Sequence, residues 1–65
     1  MTIKFAENLK LLRQSKKMTQ SQLAELLGID QRTVSAYEKG LCEPSLATLA
    51  KICEIFDESF DNILT

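Results

Sequence analysis

Residues Thr19–Gly40, TQSQLAELLGIDQRTVSAYEKG, decide the fold. Thr19 can cap a helix start, and Gln22, three residues on, can reach back to it, a T-x-x-Q capping box. Met18 before the cap and Leu23 after the first turn have the spacing of a hydrophobic staple. Gly28 can take positive φ cheaply and so supplies a turn. Asp30 is the cap of the next helix, and Ile29 with Val34 repeats the staple. Ala24 is small enough for one helix to pass closely over the other. Two short helices, over residues 20–27 and 31–39, are therefore expected to meet at a tight turn, the second ended by Gly40. That arrangement is a helix-turn-helix.

The flanks extend the same pattern. Phe5, Leu9 and Leu12 at helical spacing predict a first helix over 5–16, closed against its dipole by Lys16 and Lys17. Leu41–Pro44 reads as a loop. Ser45 then caps a helix over 46–56 with Leu46, Leu49, Ile52, Cys53 and Phe56 facing inward. Ser59 caps a final one-turn helix over 60–64. No strand pattern, repeat or composition break divides the chain, so residues 1–65 are expected to form one domain.

Side-chain direction sorts the third helix. Val34 and Tyr37, three apart, face the core with Ile29, while Gln31, Arg32, Thr33 and Ala36 fall on the exposed side. In a helix-turn-helix the second helix of the motif lies in the major groove and the first spans the backbone. Gln can pair bidentately with adenine and Arg with guanine, and Thr or Ala can touch a thymine methyl. Gln20 opens a helix whose exposed amides suit an anion. Thr19, Lys39 and, more weakly, Lys10 are further candidates for phosphate contact. Ser35 can simply bond back to its own helix.

The set Arg13, Thr19, Gln20, Leu23, Ala24, Gly28, Val34, Tyr37, Glu38 and Gly40, followed by Pro44 and Ser45, resembles the Cro/CI-type (XRE-like) phage-repressor helix-turn-helix family. The likeness runs from about Phe5 to the last helix. It implies an all-α bundle of five short helices, the lambda-repressor-like DNA-binding domain, with dimeric binding to operator DNA and transcriptional control without catalysis or cofactor. By the same resemblance, Gln31, Arg32, Thr33 and Ala36 sit where the phage repressors place base-contacting residues. Gln20 is similar to a family glutamine that binds a phosphate and braces the recognition helix. Arg13 and Glu38 correspond to a family salt bridge tying the first helix to the end of the third. Two positions depart from the pattern. The loop after the third helix is Leu41-Cys42-Glu43 where basic residues are common, which predicts a shallower salt dependence. Glu58 stands at a usually apolar position before the last helix.

Charge distribution agrees with the motif better than the net charge of −1 does. Residues 1–40 hold seven basic side chains against four acidic, whereas residues 41–65 hold one against five. Such polarity orients a molecule on DNA. A chain of 65 residues buries only about 60% of its unfolded surface, and no separate effector-binding domain is expected. With no long apolar run, a membrane span and a signal peptide are not expected, and the reading is cytoplasmic. Cys42 and Cys53 read as reduced thiols, Cys53 as a small hydrophobe on the fourth helix, and no metal site is expected without His.

An enzyme is disfavoured, because there is no His, no glycine-rich phosphate loop and no nucleophile beside a base. The acidic cluster Glu54, Asp57, Glu58 and Asp61 has no calcium-loop spacing. One recognition helix reads few base pairs, so a homodimer on a palindromic operator is expected, with reading helices about 34 Å apart. Phe60, Ile63 and Leu64 are the expected dimer contact, with Leu11 and Ile3 as a second apolar patch. The alternative reading is an antitoxin-like or other protein-interaction module on the same fold, whose main partner is another protein; a regulatory protein is the further candidate partner.

Overall fold

The computed structural model describes residues 4–65, so Ile3 lies outside the described residues. Four of the five helices begin where a side-chain oxygen meets a free backbone amide. Thr19, Asp30, Ser45 and Ser59 accept from the N–H groups of Gln22, Arg32, Thr48 and Asn62. The helices so started are α2 (Gln20–Leu27), α3 (Gln31–Glu38), α4 (Leu46–Phe56) and α5 (Phe60–Leu64). At Thr19 the box is reciprocal: its Oγ1 accepts from Gln22 N at 3.0 Å, and its own N–H donates to Gln22 Oε1 at 2.8 Å. Helix α1 (Phe5–Ser15) starts differently. Lys4 has no capping side chain; its N–H donates instead to the Leu64 carbonyl at 2.9 Å, and Asn8 Nδ2 donates to the Ile63 carbonyl at 3.0 Å. The start of α1 thereby satisfies carbonyls at the end of α5.

Helix ends repeat one device. After α1, α2, α3 and α4 the chain turns through a left-handed residue, at Lys17, Gly28, Gly40 and Asp57. In each case that residue's N–H and the next one close on carbonyls of the last turn, as Gly28 N to Glu25 O and Ile29 N to Ala24 O do. Glycine accepts this conformation freely, and a Cβ on Gly28 would meet no atom within 4 Å, so its φ of 69° alone selects glycine there. Lys17, with φ 55°, pays a steric penalty at an exposed position. Lys17→Gly is accordingly expected to raise the unfolding free energy by about 1 kcal/mol, read as a higher urea midpoint at unchanged slope.

The core is one cluster to which every helix contributes: Leu9 from α1, Leu23 from α2, Val34 from α3, Ile52 from α4 and Ile63 from α5 are all fully buried. Helix α3 packs on α2 and α1; α5 packs on α1 and α4. Phe5 meets Tyr37 edge-on at 6.2 Å between ring centroids, which makes Tyr37 a core residue holding α3 to α1. Cys53 is buried, and burial first, then the nearby Glu58 charge, push its thiol upward, so it packs as a neutral side chain.

Two expected orientations are corrected. Leu46, in the first turn of α4, is 76% exposed, whereas Leu49, Ile52, Cys53 and Phe56 of the same stripe are buried and Ile55 packs partly against the core. Ile63 is 0% exposed: it points between α1 and α4 and has no surface to offer a second chain. Of the three residues assigned to a dimer contact, Phe60 remains 44% exposed and Leu64 half-buried. Leu11 is exposed on α1.

Candidate nucleic-acid interface

Because Ala24 is buried and carries only a methyl group, α3 lies close over α2. Val34 and Tyr37 take the inner face of α3, leaving Gln31 and Arg32 exposed and Thr33, Ser35 and Ala36 half-buried on the outer side. Gln31, Arg32, Ser35, Ala36, Lys39 and Leu41 line a shallow open groove of about 250 Å³ along that face. The Arg32 side chain has no hydrogen bond or ion pair among the described residues, so its guanidinium is available to a ligand. Thr19 and Lys39 are exposed at the start of α2 and the end of α3, and Lys10 is exposed on α1. Leu41 was not among the residues singled out. Its place follows from the turn at Gly40, where Leu41 N bonds back to Ala36 O at 3.0 Å and brings the side chain beside the outer face of α3.

Behind this face lies a polar chain. Arg13 donates through Nε to Glu38 Oε2 at 2.7 Å and through Nη2 to Glu38 Oε1 at 3.0 Å, while its Nη1 holds the Met18 carbonyl at 2.8 Å. Gln20 Nε2 donates to Glu38 Oε1 at 3.1 Å, and Gln31 Nε2 donates to Gln20 Oε1 at 2.7 Å. Glu38 has a side chain 3% exposed, against 12% for Arg13. A fork-to-fork geometry fixes direction as well as distance, so the pair locks α1, the α1–α2 turn and the end of α3 together. Burial pushes the Glu38 carboxyl up; the hydrogen bonds from Arg13 and Gln20, then the charges of Arg13 and Lys10, outweigh it and hold the group below the ordinary carboxylate value. Arg13 is raised in turn, chiefly by its hydrogen bond to Glu38.

The structure thus brings Arg13, Gln20, Gln31 and Glu38 into one hydrogen-bonded unit, with the Lys10 charge close enough to bear on Glu38. Arg32, Thr33, Ala36 and Lys39 stand on the open face. Phe60 and Leu64 belong to α5, outside this unit. The Arg13–Glu38 and Gln20–Gln31 pairs span 25 and 11 positions, which is why residue spacing does not reveal them. Among the described residues no group of His, Cys, Asp or Glu has the arrangement of a metal site, and no helix is long and apolar enough to cross a membrane.

A scaffold of this kind, a braced helix presenting polar side chains outward over a second helix, defines a DNA-binding helix-turn-helix domain. Residues 9–63 match the family described as helix-turn-helix. The chain belongs to that family, in its Cro/CI (XRE) branch. It is 47% identical over 60 residues to YqaE of Bacillus subtilis strain 168, an uncharacterised helix-turn-helix-type transcriptional regulator, covering 92% of this chain and 52% of that protein. A transcriptional regulator from Listeria innocua superposes with a TM-score of 0.94 at 33% identity, over 98% of this chain and 60% of that one. The restriction-modification controller protein C.AhdI from Aeromonas hydrophila gives 0.84 at 31% identity, over 95% and 94% of the two chains. The chain spans about half the length of the curated relatives it matches.

Proposed function

We propose that this chain is a sequence-specific transcriptional regulator of the repressor type, reading a palindromic operator in double-stranded DNA as a homodimer in the cytoplasm. The observation that carries the reading is the outer face of α3. Gln31 and Arg32 are exposed there on a helix whose inner face is fully committed to the core. Gln31 and Arg32 read base edges, with Thr33 and Ala36 offering small apolar contacts to thymine methyls. Gln20, Thr19, Lys39 and Lys10 set the register by touching phosphates. The exposed Phe60, with the half-buried Leu64, supplies the contact between protomers, and a two-fold axis then sets the reading helices one duplex turn apart. Glu43, exposed in the loop after α3, repels phosphate and lowers the salt dependence of binding.

Selection from a randomised duplex pool, followed by anisotropy titration, tests the reading. A palindromic site is expected, and Arg32→Ala is expected to lose about 1–3 kcal/mol of preference at one symmetric base pair while phosphate contacts stay. Enrichment of no sequence over unspecific binding at low salt would overturn the proposal.

A further inference from the structure

Gly40 ends α3 in a left-handed turn with φ 73°, and across it Leu41 N donates to Ala36 O at 3.0 Å. In such a turn the residue after the glycine commonly packs on the residue whose carbonyl it holds. Ala36 has only a methyl group to give to that contact, and Leu41 remains 75% exposed. Four other large apolar side chains are exposed, Leu11, Leu26, Leu46 and Phe60, but none of them borders the groove of about 250 Å³ on the outer face of α3. Leu41 and Ala36 do, among Gln31, Arg32, Ser35 and Lys39. The apolar spot thus lies between polar groups and two cations, and the lining holds no carboxylate among the described residues. Glu43, two residues on, borders separate cavities beside Phe5.

We infer that Leu41, with Ala36 beside it, forms an apolar seat for the C5-methyl group of a thymine, which makes Leu41 a specificity-determining residue outside α3. The inference rests on the reading of α3 as the base-contacting helix and deepens it. The Arg32 and Lys39 charges suit a polyanion, and among base edges in the major groove the thymine methyl is the one apolar group. An aliphatic side chain gains by covering that methyl and gains nothing from a phosphate oxygen. Cytosine at the same place presents an N4 donor and no methyl, so it leaves Leu41 without an apolar partner. The contact carries no charge. It therefore adds affinity at one base pair without steepening the salt dependence.

The test uses the operator selected by the chain and replaces each thymine in turn by uracil, which removes the methyl group and keeps the hydrogen-bonding edges. The unsubstituted protein is expected to lose about fourfold in affinity at one thymine of each half-site, the equivalent of burying one methyl group. With Leu41→Ala the same replacement is expected to have almost no effect, because the side chain that covers the methyl is gone. Uracil at a thymine read by Thr33 weakens both proteins equally, and the preference at the Arg32 base pair persists in both. Leu41→Lys is the second variant: it is expected to steepen the salt dependence while staying indifferent to uracil at that thymine. Because Leu41 is exposed, both variants are expected to keep the urea midpoint of the unsubstituted protein. A uracil effect of equal size in the unsubstituted protein and Leu41→Ala at every thymine overturns the seat alone. A selection that yields no operator overturns both the seat and the reading of α3.

Discussion

Replacing Ile63 with Ala is expected to lower the unfolding free energy by about 3 kcal/mol, a large share of the roughly 5 kcal/mol a small domain commands. Ile63 is fully buried, and it is the one buried residue of α5, a helix of five residues. A helix that short has no stability of its own and exists only through the face it packs. Removing three carbons leaves a cavity that α1 and α4 cannot close, because the Ile63 carbonyl is itself tied to Asn8 and the Leu64 carbonyl to Lys4. Urea unfolding followed by circular dichroism gives the measurement. The shift should not depend on protein concentration, since the lost packing lies within one chain. Phe60→Ala is the contrast: its ring is 44% exposed, so unfolding of the isolated chain should change by about 0.5 kcal/mol or less, while any dimer dissociates more readily in sedimentation. An Ile63→Ala protein that keeps its urea midpoint but loses self-association would reverse this assignment.

Glu38→Ala is expected to cost about 3 kcal/mol at neutral pH, because it leaves the Arg13 guanidinium enclosed without its partner. Three helices and one turn lose their common tie, since Arg13, Gln20 and Gln31 all converge on this carboxylate directly or through one amide. The same group gives stability a defined pH dependence. Its carboxyl sits below the ordinary value near 4.5, because the Arg13 and Gln20 hydrogen bonds and the Arg13 and Lys10 charges outweigh the upward push of burial. A carboxyl depressed in the folded state releases its proton more easily there than in the unfolded chain. Its stabilisation is thus complete above pH 4.5 and is lost as the pH falls through the folded value. The gap in urea midpoint between the unsubstituted protein and Glu38→Gln should accordingly be constant from neutral pH down to that point and narrow below it. A gap that stays constant through strong acid would mean that Glu38 is not ionised in the fold.

The exposed outer face of α3 was legible for a simple reason. Val34 and Tyr37 claim the inner side of α3, and a helical period then places Gln31 and Arg32 outside. What braces that face was less legible. The Arg13–Glu38 pair and the bracing of α3 by Gln20 followed only from resemblance to a family, and Gln31 as the partner of Gln20 from nothing in the order of residues, because an amide can donate or accept and has many candidate partners.

Local chemistry settled the helix boundaries. Thr19 with Gln22, Asp30, Ser45 and Ser59 each satisfy an amide two or three residues away, and Gly28 and Gly40 take the left-handed turns, so both partners lie within one window of chain. The turns at Lys17 and Asp57 use the same geometry with residues that do not advertise it. Tertiary structure alone decided which apolar side chains of the last two helices face in. Leu46 and Ile63 carry the same kind of surface, yet one is exposed and the other sealed, because burial depends on what another helix brings opposite. The bonds of Asn8 to α5 and of Gln20 to Glu38 belong to the same class, with partners 55 and 18 positions apart. Caps and turns are closed by neighbours along the chain, and so the sequence determines them; core facing and amide pairing are closed by neighbours in space, and so only the assembled fold decides them.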